Sequence, residues 1–301
     1  MGQTMKAVQY HEFGGPEVLS VADVPVPQPG PGQVRIAVKA SGVNPFDWKL
    51  RQGFIPMPVS FPAGISQDAA GVVTALGEGV EHVAVGDEVF GNTGNQSAAA
   101  EEAVLVAFAL KPASLTWEQA GSAGLGAETA MRCLRALGLT AGQTLVIDGA
   151  SGGVGLAALQ FAVDQGLTVI GTANPAKHDL VAQLGGTPVP YGDGFPDRVR
   201  ELAPRVDGVI QAAGDSLDDL LTLVDDPAKV VSIVDYGAPA KGAQLSGGGV
   251  REWDAALAGI VKLAERGDYV VRVGRTFSLD EAGEAQAYSA AGGDGRAVIV
   301  P

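Results

Sequence analysis

The sequence predicts an α/β protein of two domains, one mostly antiparallel β and one built on a doubly wound parallel sheet. Its 301 residues suffice for two domains of about 150 residues each. Short runs with period-two alternation precede residue 112, whereas continuous apolar runs alternate with helical stretches after residue 120. A glycine-rich turn follows the first of these later runs, at residues 149–155. The periodicity and the turn together predict the fold class and place the boundary between the two domains near residues 112–120.

Period-two alternation predicts the strands of the first domain at residues 34–38, 71–76, 87–90 and 104–108, with proline and glycine between them. Residues 25–32 contain four prolines, so they are expected to form an extended loop outside any sheet interior. One short helix is predicted at residues 45–51.

The second domain is predicted from apolar runs of about five residues that are each followed by a helix, as in a parallel sheet covered on both faces. These strands are expected at residues 144–148, 167–172, 187–189, 206–210 and 230–234. The tail, with β segments at 269–273 and 297–300 and a helix at 279–290, is expected to rejoin the first domain. The predicted domains are therefore 1–118 with 268–301, and 119–267, with a flexible link at 246–249.

Composition excludes several classes of protein. Hydrophobic residues make up 46% of the chain and charged residues 18%, which favours a folded globule over disorder. The formal net charge of −14 disfavours nucleic acid and anionic membranes as partners. A single cysteine, Cys133, fits a reducing compartment. Because we find neither a signal-peptide pattern nor a long apolar run, we expect a cytoplasmic protein.

The glycine-rich turn joins the first predicted parallel strand to an apolar helix, as in a Rossmann dinucleotide-binding unit. In that unit, backbone N–H groups and a helix N-terminus face a pyrophosphate, and the last glycine allows close helix packing. A turn selected only for tightness is the alternative, and the surrounding strand, helix and βαβ array favour the cofactor. The predicted contacts are Ala150, Ser151, Gly152, Gly153 and Val154.

The second strand of this domain predicts the choice of cofactor. NAD-specific sites carry an acidic residue at its end to hold the ribose diol, but here the strand ends at Thr172 and is followed by Asn174 and Lys177. A small polar gap beside a cation suits the 2′-phosphate of NADPH. The alternative is that Lys177 is an ordinary solvated cation, which the helix dipole would mildly disfavour at a helix start.

Five segments follow one another along nearly the whole chain: GGPEVL at 14–19, GVNPFD at 42–47, DAAGVV at 68–73, GDEVFG at 86–91 and ASGGVG at 150–155. In this order they resemble the zinc-independent quinone oxidoreductase branch of the medium-chain dehydrogenase/reductase superfamily. The resemblance implies a GroES-like catalytic domain joined to a Rossmann domain. It also implies NADPH as the hydride donor in the cleft between them, and often a homodimer.

The resemblance also implies roles for residues of the catalytic domain. Asn44 is expected to line the nicotinamide pocket, where its amide can donate to a developing oxyanion. Asp47 and Lys49 follow in the same turn and either orient water or relay a proton, unless they are ordinary charges. Thr129 is expected near the nicotinamide, with a hydroxyl bonded to its own helix as the alternative.

Further cofactor contacts follow from the same similarity. Tyr191 is expected at the adenosine phosphate end. Two pairs of residues, Ala213 with Gly214 and Ile233 with Val234, are expected as backbone contacts at the carboxyl edge of the sheet. Near the C-terminus, Arg296 takes the place of a lysine common in this family and is a candidate phosphate ligand.

A resident metal is not expected. Catalytic zinc needs three or so Cys, His or carboxylate ligands, whereas the one cysteine and three histidines of this chain are scattered. Where zinc-dependent relatives have a cysteine and a Gly-His-Glu group, this sequence has Asn44 and Ser66-Gln67-Asp68.

The function predicted from these features is NADPH-dependent hydride transfer, without zinc, to a quinone or an activated α,β-unsaturated carbonyl. Two alternatives stay open at this point. One is a dedicated enoyl or enone reductase of a biosynthetic pathway, and the other is a catalytically silent protein that binds NADPH as a sensor.

Overall fold

The computed structural model describes residues 2–247 and 251–301. Its contacts divide the chain into unit 1, which comprises Met1–Leu125 and Ala256–Pro301, and unit 2, Gly126–Ala255. Both divisions fall inside helices, whereas the sequence places the boundaries after residue 118 and before residue 268. The predicted link at 246–249 lies partly outside the described residues.

Over the described residues, the strands in chain order are β1 (Thr4–Tyr10), β2 (Ser20–Pro25), β3 (Val34–Val43), β4 (Ala63–Gly64), β5 (Asp68–Leu76), β6 (Glu88–Asn92), β7 (Glu102–Leu105), β8 (Ala107–Leu110), β9 (Thr144–Asp148), β10 (Thr168–Ala173), β11 (Thr187–Pro190), β12 (Gly208–Gln211), β13 (Val230–Ser232), β14 (Gln244–Leu245), β15 (Val273–Phe277) and β16 (Arg296–Ile299).

The α-helices of the same residues are α1 (Pro45–Arg51), α2 (Trp117–Ala120), α3 (Gly124–Leu137), α4 (Gly153–Asp164), α5 (His178–Gln183), α6 (Phe195–Leu202), α7 (Leu217–Leu221), α8 (Trp253–Glu265) and α9 (Ala282–Ala290). Short 3₁₀ helices include Pro175–Lys177, Pro227–Lys229 and Leu279–Glu281. None of the helices described here combines the length and apolar composition that a membrane crossing requires.

Unit 1 contains a seven-stranded sheet in the order β15-β16-β3-β5-β6-β8, with β7 also paired to β3, and a three-stranded sheet in the order β2-β1-β4. Alternation predicted the central strand because one face of it is buried: Val34, Ile36 and Val38 are at most 6% exposed. That strand continues to Val43 and meets β5 and β16 at its far end.

Three predictions for unit 1 are wrong in detail. The predicted strand 104–108 is broken at Val106, because β7 pairs with β3 whereas β8 pairs with β6. The predicted strand 269–273 begins only at Val273. Pro25 ends β2 instead of opening a loop, which its position in an edge strand allows. Both β1 and β2 were missed, whereas the helix predicted at residues 45–51 is confirmed.

Unit 2 contains a six-stranded parallel sheet in the order β11-β10-β9-β12-β13-β14. Counted within the unit this is 3-2-1-4-5-6, the strand order of a Rossmann domain. The central strands are buried on both faces, which is why Leu145, Val146 and Ile147 form a continuous apolar run with 0% exposure. The predicted fold class, a mostly antiparallel β domain with a doubly wound parallel-sheet domain, is confirmed. The short strand β14 was missed.

Candidate active site

The glycine-rich turn of unit 2 is so tight that side chains would not fit in it. Gly149 has a φ of 83°, and a Cβ atom there would lie 2.6 Å from the Cβ of Ala213. A Cβ on Gly155 would lie 2.2 Å from the carbonyl oxygen of Gly149. These contacts explain why positions 149 and 155 are occupied by glycine: the backbone of α4 passes directly over the turn and leaves no room for a side chain.

The turn leaves backbone donors at the start of α4. Gly152 is the N-cap of this helix and supplies no side-chain cap, and Leu156 is bonded to the Gly152 carbonyl at 2.8 Å. The N–H groups of Gly153 and Val154 therefore belong to the first helical turn, which has no intrahelical acceptors for them. Gly152 and Gly153 are exposed, so this end of the helix fits a pyrophosphate.

Two of the predicted contact residues use their N–H groups inside the protein. The Ala150 N–H donates to the Thr172 carbonyl at 2.9 Å, and the Gly152 N–H donates to the Gly149 carbonyl at 3.0 Å. Ala150 is also fully buried. These residues shape the turn, whereas Ser151, which is partly exposed, lies at its surface.

Thr172 lies behind the turn. Its hydroxyl donates to Asp148 at 2.5 Å and accepts the Gly149 N–H at 3.0 Å, and the side chain is 1% exposed. Asp148 also accepts a hydrogen bond from Ser216 at 2.5 Å. The sequence predicts Thr172 as a residue of the cofactor site, and in the structure its hydroxyl is bonded within the protein, where it supports the glycine turn.

The remaining nucleotide residues of unit 2 follow the carboxyl ends of its strands. Asn174 caps the 3₁₀ helix that ends at Lys177, by accepting the Ala176 N–H at 3.0 Å. Tyr191 is 58% exposed and follows β11, whose last residue pairs with the last residue of β10. The parallel register therefore brings Asn174 and Tyr191 to one edge of the sheet.

The ends of β12 and β13 lie at the same edge. Gln211 and Ser232 are paired there, and the Ile233 N–H donates to the Gln211 carbonyl at 3.0 Å. The Val234 N–H donates to the Ser232 hydroxyl at 3.2 Å. Beyond β12, Ala213 packs against the glycine turn, and Gly214 has a φ of 68°. The predicted backbone residues thus follow the carboxyl ends of β12 and β13, at the edge where Rossmann domains bind ligands.

In unit 1, both halves of the Asn44 side chain are held by charged residues. Asn44 is 4% exposed and is the N-cap of α1. Its Nδ2 donates to Asp68 at 3.1 Å, and its Oδ1 accepts a hydrogen bond from Arg296 at 2.5 Å. Arg296, predicted as a phosphate ligand, has this guanidinium contact to Asn44.

Asp47 is a buried acid in the first turn of α1. One of its oxygens accepts the Asn44 N–H at 2.7 Å, while Oδ1 has no hydrogen-bond partner among the described residues. Burial, helped by the nearby Asp68 charge, raises the pKa of Asp47 to about 8, against the opposing effects of the hydrogen bond from the Asn44 N–H and of the Arg296 charge. Asp47 is therefore mostly protonated at neutral pH.

Asp68 is the centre of this cluster, although it was not among the site residues predicted from the sequence. Its side chain is 0% exposed and accepts hydrogen bonds from Asn44, from Asn92 at 3.4 Å and from the Leu125 N–H at 2.8 Å. Burial raises the pKa of Asp68 and lowers that of Arg296, while their mutual attraction opposes both shifts. The signal that could have found Asp68 is a carboxylate at the start of an otherwise apolar strand.

The other two predicted catalytic residues lie outside the cluster. The Lys49 ammonium lies 5.5 Å from the centre of the Trp48 ring, in a cation–π contact. Thr129 belongs to α3 in unit 2, where it is 9% exposed and 3.5 Å from Arg132.

A cavity of about 820 Å³ lies within unit 1. Apolar and carboxamide side chains dominate its wall, among them Tyr10, Phe46, Leu50, Met57, Gln67 and Gln96. Among the described residues that line it, Glu102 is the charged one, and it is paired with Arg35 at 2.7 Å. The wall thus offers hydrogen bonds without a cation.

The donor set around Asn44 does not resemble a zinc site. It consists of carboxamides, carboxylates and an arginine, without a thiolate or an imidazole. Within residues 2–247 and 251–301, no three or more His, Cys, Asp or Glu side chains are grouped so that they could hold a metal ion.

Comparisons with known proteins agree with this architecture. Residues 30–133 match the family model of the alcohol dehydrogenase GroES-like domain. The chain is 32% identical to a quinone oxidoreductase of Pseudomonas aeruginosa, over 95% of this chain and 96% of the relative.

Solved structures are similar over the whole length. An alcohol dehydrogenase superfamily protein from Novosphingobium aromaticivorans is 33% identical with a TM-score of 0.87, over 99% of both chains. A mycobacterial protein solved in complex with NADPH is 28% identical with a TM-score of 0.82, over 99% of this chain and 100% of the other.

Proposed function

The chain belongs to the quinone oxidoreductase branch of the medium-chain dehydrogenase/reductase superfamily, and from this premise we propose that it reduces a quinone or an activated α,β-unsaturated carbonyl with NADPH. The protein is an oxidoreductase. The acceptor, the preference for NADPH and the independence from zinc are the parts of this statement that we propose.

The observation that carries the proposal is the glycine turn of unit 2. Its backbone leaves the N–H groups of Gly153 and Val154 at an exposed helix N-terminus, where a Cβ on Gly155 would collide with the turn. A diphosphate is the ligand that this arrangement suits. A similar protein that binds NADPH supports the same cofactor here.

Lys177 supports NADPH over NADH. It ends the 3₁₀ helix after β10, at the carboxyl edge of the sheet, and no acidic side chain stands in the 172–178 segment. A cation at this position attracts a 2′-phosphate, whereas an acidic residue would hold the ribose diol of NAD. Asn174 and Tyr191 lie at the same edge and complete the proposed adenosine site.

NADPH supplies a hydride when it is bound, and the acceptor takes up that hydride together with a proton. We propose that Asn44 donates an amide N–H to the acceptor oxygen, where negative charge develops. Asp47 is the proposed proton reservoir, because it is buried and protonated at neutral pH. Lys49 is proposed to orient water or relay a proton, and Thr129 is proposed to lie near the nicotinamide.

The proposed chemistry uses hydrogen bonds where zinc-dependent relatives use a metal. Asn44 and Gln67 are neutral carboxamides and bind zinc poorly compared with thiolate or imidazole. We therefore propose that the purified protein works without stoichiometric zinc. The cytoplasmic location and the homodimer stay predictions.

The test follows NADPH absorbance with a planar ortho-quinone and with a simple enone as acceptors. Turnover of either one supports the proposal, and the ratio of the two rates separates quinone reduction from enone reduction. If NADPH binds but neither acceptor oxidises it, the protein is a cofactor-binding sensor and the proposal fails. Addition of a chelator is the control for metal, and we expect the rate to stay the same.

A further inference from the structure

We propose that Asp68 and Arg296 are positioning residues, which fix the Asn44 carboxamide in the one orientation that presents an N–H group to the acceptor. This inference rests on the proposed function, since it explains how Asn44 is made ready for it. It also gives Arg296 a role different from the phosphate contact that the sequence suggested.

The chemistry of the two neighbours specifies the orientation. A guanidinium can only donate hydrogen bonds, and an ionised carboxylate can only accept them. Arg296 therefore selects the Asn44 oxygen, at 2.5 Å, and Asp68 selects its nitrogen, at 3.1 Å. If the amide rotated by half a turn, its NH₂ group would face the guanidinium of Arg296 and its oxygen would face the carboxylate of Asp68. Donor would then meet donor and acceptor would meet acceptor, and both charge-assisted hydrogen bonds would be lost.

The sheet holds both neighbours in place. Asp68 is paired with Gly42 on one side and with Asn92 on the other, and Ala297, next to Arg296, is paired with Val43. Asn44 directly follows these paired residues of β3. The Leu125 N–H fixes the second oxygen of Asp68 at 2.8 Å. Register therefore sets the positions of the two charges relative to Asn44.

The fixed orientation leaves a donor free for chemistry. The Asn44 amide has two N–H groups, and its bond to Asp68 uses one of them. The positive charge of the Arg296 guanidinium, which is bonded to the amide oxygen, draws electron density from the amide nitrogen and so strengthens its second N–H as a donor. In the opposite orientation Asn44 would present its carbonyl oxygen and repel a developing oxyanion.

Charge balance supports a positioning role within the cluster. Asp68 and Arg296 are groups of opposite charge, and two other titratable groups act on Arg296. Burial keeps Asp47 mostly protonated at pH 7, and the Tyr269 phenol is neutral at this pH. The two opposite charges thus offset each other inside the protein, without the charge of a ligand.

The first test measures the orientation without any turnover. The side-chain NH₂ signals of Asn44 in ¹⁵N-labelled protein are assigned by their loss in Asn44→Ala. We expect two separate, persistent proton signals in the wild type, and shifted or broadened signals in Arg296→Met and Asp68→Asn. Arg275→Met is the matched control, because Arg275 lies on β15 of the same unit in an exposed pair with Glu284. Unchanged Asn44 signals in Arg296→Met would overturn the proposal.

The second test is a double-mutant cycle on quinone reduction. We expect Arg296→Met to lower kcat at least tenfold while KM for NADPH changes less than threefold, and to have little further effect in an Asn44→Ala background. Equal losses in both backgrounds, or a loss confined to KM for NADPH, would refute the positioning role. Arg296→Lys keeps a donor and should recover part of kcat, and it serves if Arg296→Met does not fold. A wild type without turnover contradicts the proposed function alone, because the NMR test still stands.

Discussion

A carboxylic acid that is buried without a cation in direct contact keeps its proton, and Asp47 is such a group. Its pKa is raised from 3.8 to about 8, first because burial disfavours the carboxylate. Asp68 and Arg296 are the charged groups that act on it most, with opposite signs. Because the raised pKa belongs to the folded protein, the proton on Asp47 is linked to folding.

We predict that Asp47 makes the protein less stable as pH rises from about 4 to about 8. Below the pKa of Asp47 in the unfolded chain, Asp47 is protonated in both the folded and the unfolded protein, and its contribution to the free energy of unfolding is complete. This contribution is lost as pH rises towards the pKa of Asp47 in the folded protein, at no more than about 1.4 kcal/mol per pH unit. Urea unfolding across this range should show a smaller fall in Asp47→Asn than in the wild type. Asp280→Asn, at an exposed site, is the control, and equal slopes in all three proteins would contradict the prediction.

Lys177 allows a sharply controlled test of cofactor choice. The sequence Pro-Ala-Lys forms a 3₁₀ helix twice, at Pro175–Lys177 after β10 and at Pro227–Lys229 before β13. Only the first follows the carboxyl end of a strand. We predict that Lys177→Ala raises KM for NADPH at least fivefold with little change for NADH, whereas Lys229→Ala changes neither. A similar rise for both cofactors in Lys177→Ala would argue against a phosphate contact.

The connection between β9 and α4 needs glycine because a Cβ atom would clash there, and the severity of the clash differs between Gly155 and Gly152. A Cβ at Gly155 would lie 2.2 Å from a backbone oxygen of the same turn, whereas a Cβ at Gly152 would lie 3.3 Å from it. The first contact requires the helix or the turn to move, and the second requires only a slight adjustment.

We therefore predict that Gly155→Ala weakens NADPH binding at least tenfold and lowers the thermal unfolding midpoint. Gly152→Ala should have a clearly smaller effect on both quantities, because its φ of −80° is open to alanine. Fluorescence titration and calorimetry measure the two effects. The steric ranking fails if Gly152→Ala proves to be the more damaging change.

Elements with a strong local signal were predicted well. The bounds of α1 agree with those predicted, and the structure shows proline at its first helical position and an acidic residue in its first turn. Continuous apolar runs gave the parallel strands of unit 2. The strands β1 and β2 were missed because their burial patterns are irregular. The segment 269–272 was overpredicted because Tyr269 is buried beside the charged cluster instead of in a strand.

For the molecule as a whole, the net negative charge favours a neutral acceptor over an anionic one. The net charge is −14, and the cavity of unit 1 shows no cationic side chain among the described residues that line it. An anionic acceptor would meet long-range repulsion and would find no counter-charge inside the cavity.

We predict that a neutral naphthoquinone is reduced with a kcat/KM at least tenfold higher than its sulfonate. Added salt screens the long-range repulsion but not the cost of burying an unpaired charge. Part of the difference should therefore persist at 0.5 M salt. Equal kcat/KM values for the two compounds at low salt would contradict the prediction.

The glycine turn and α1 could be predicted from the sequence because each depends on residues that are close along the chain, and the fold class followed from the periodicity of the apolar runs. Only the tertiary structure brought Asn44, Asp68 and Arg296 together and showed the Thr172 hydroxyl bonded behind the turn. The physical reason is that strand register decides which distant side chains share a buried site. Local periodicity predicts that a strand exists, but it carries no information about which residue will lie opposite on the next strand.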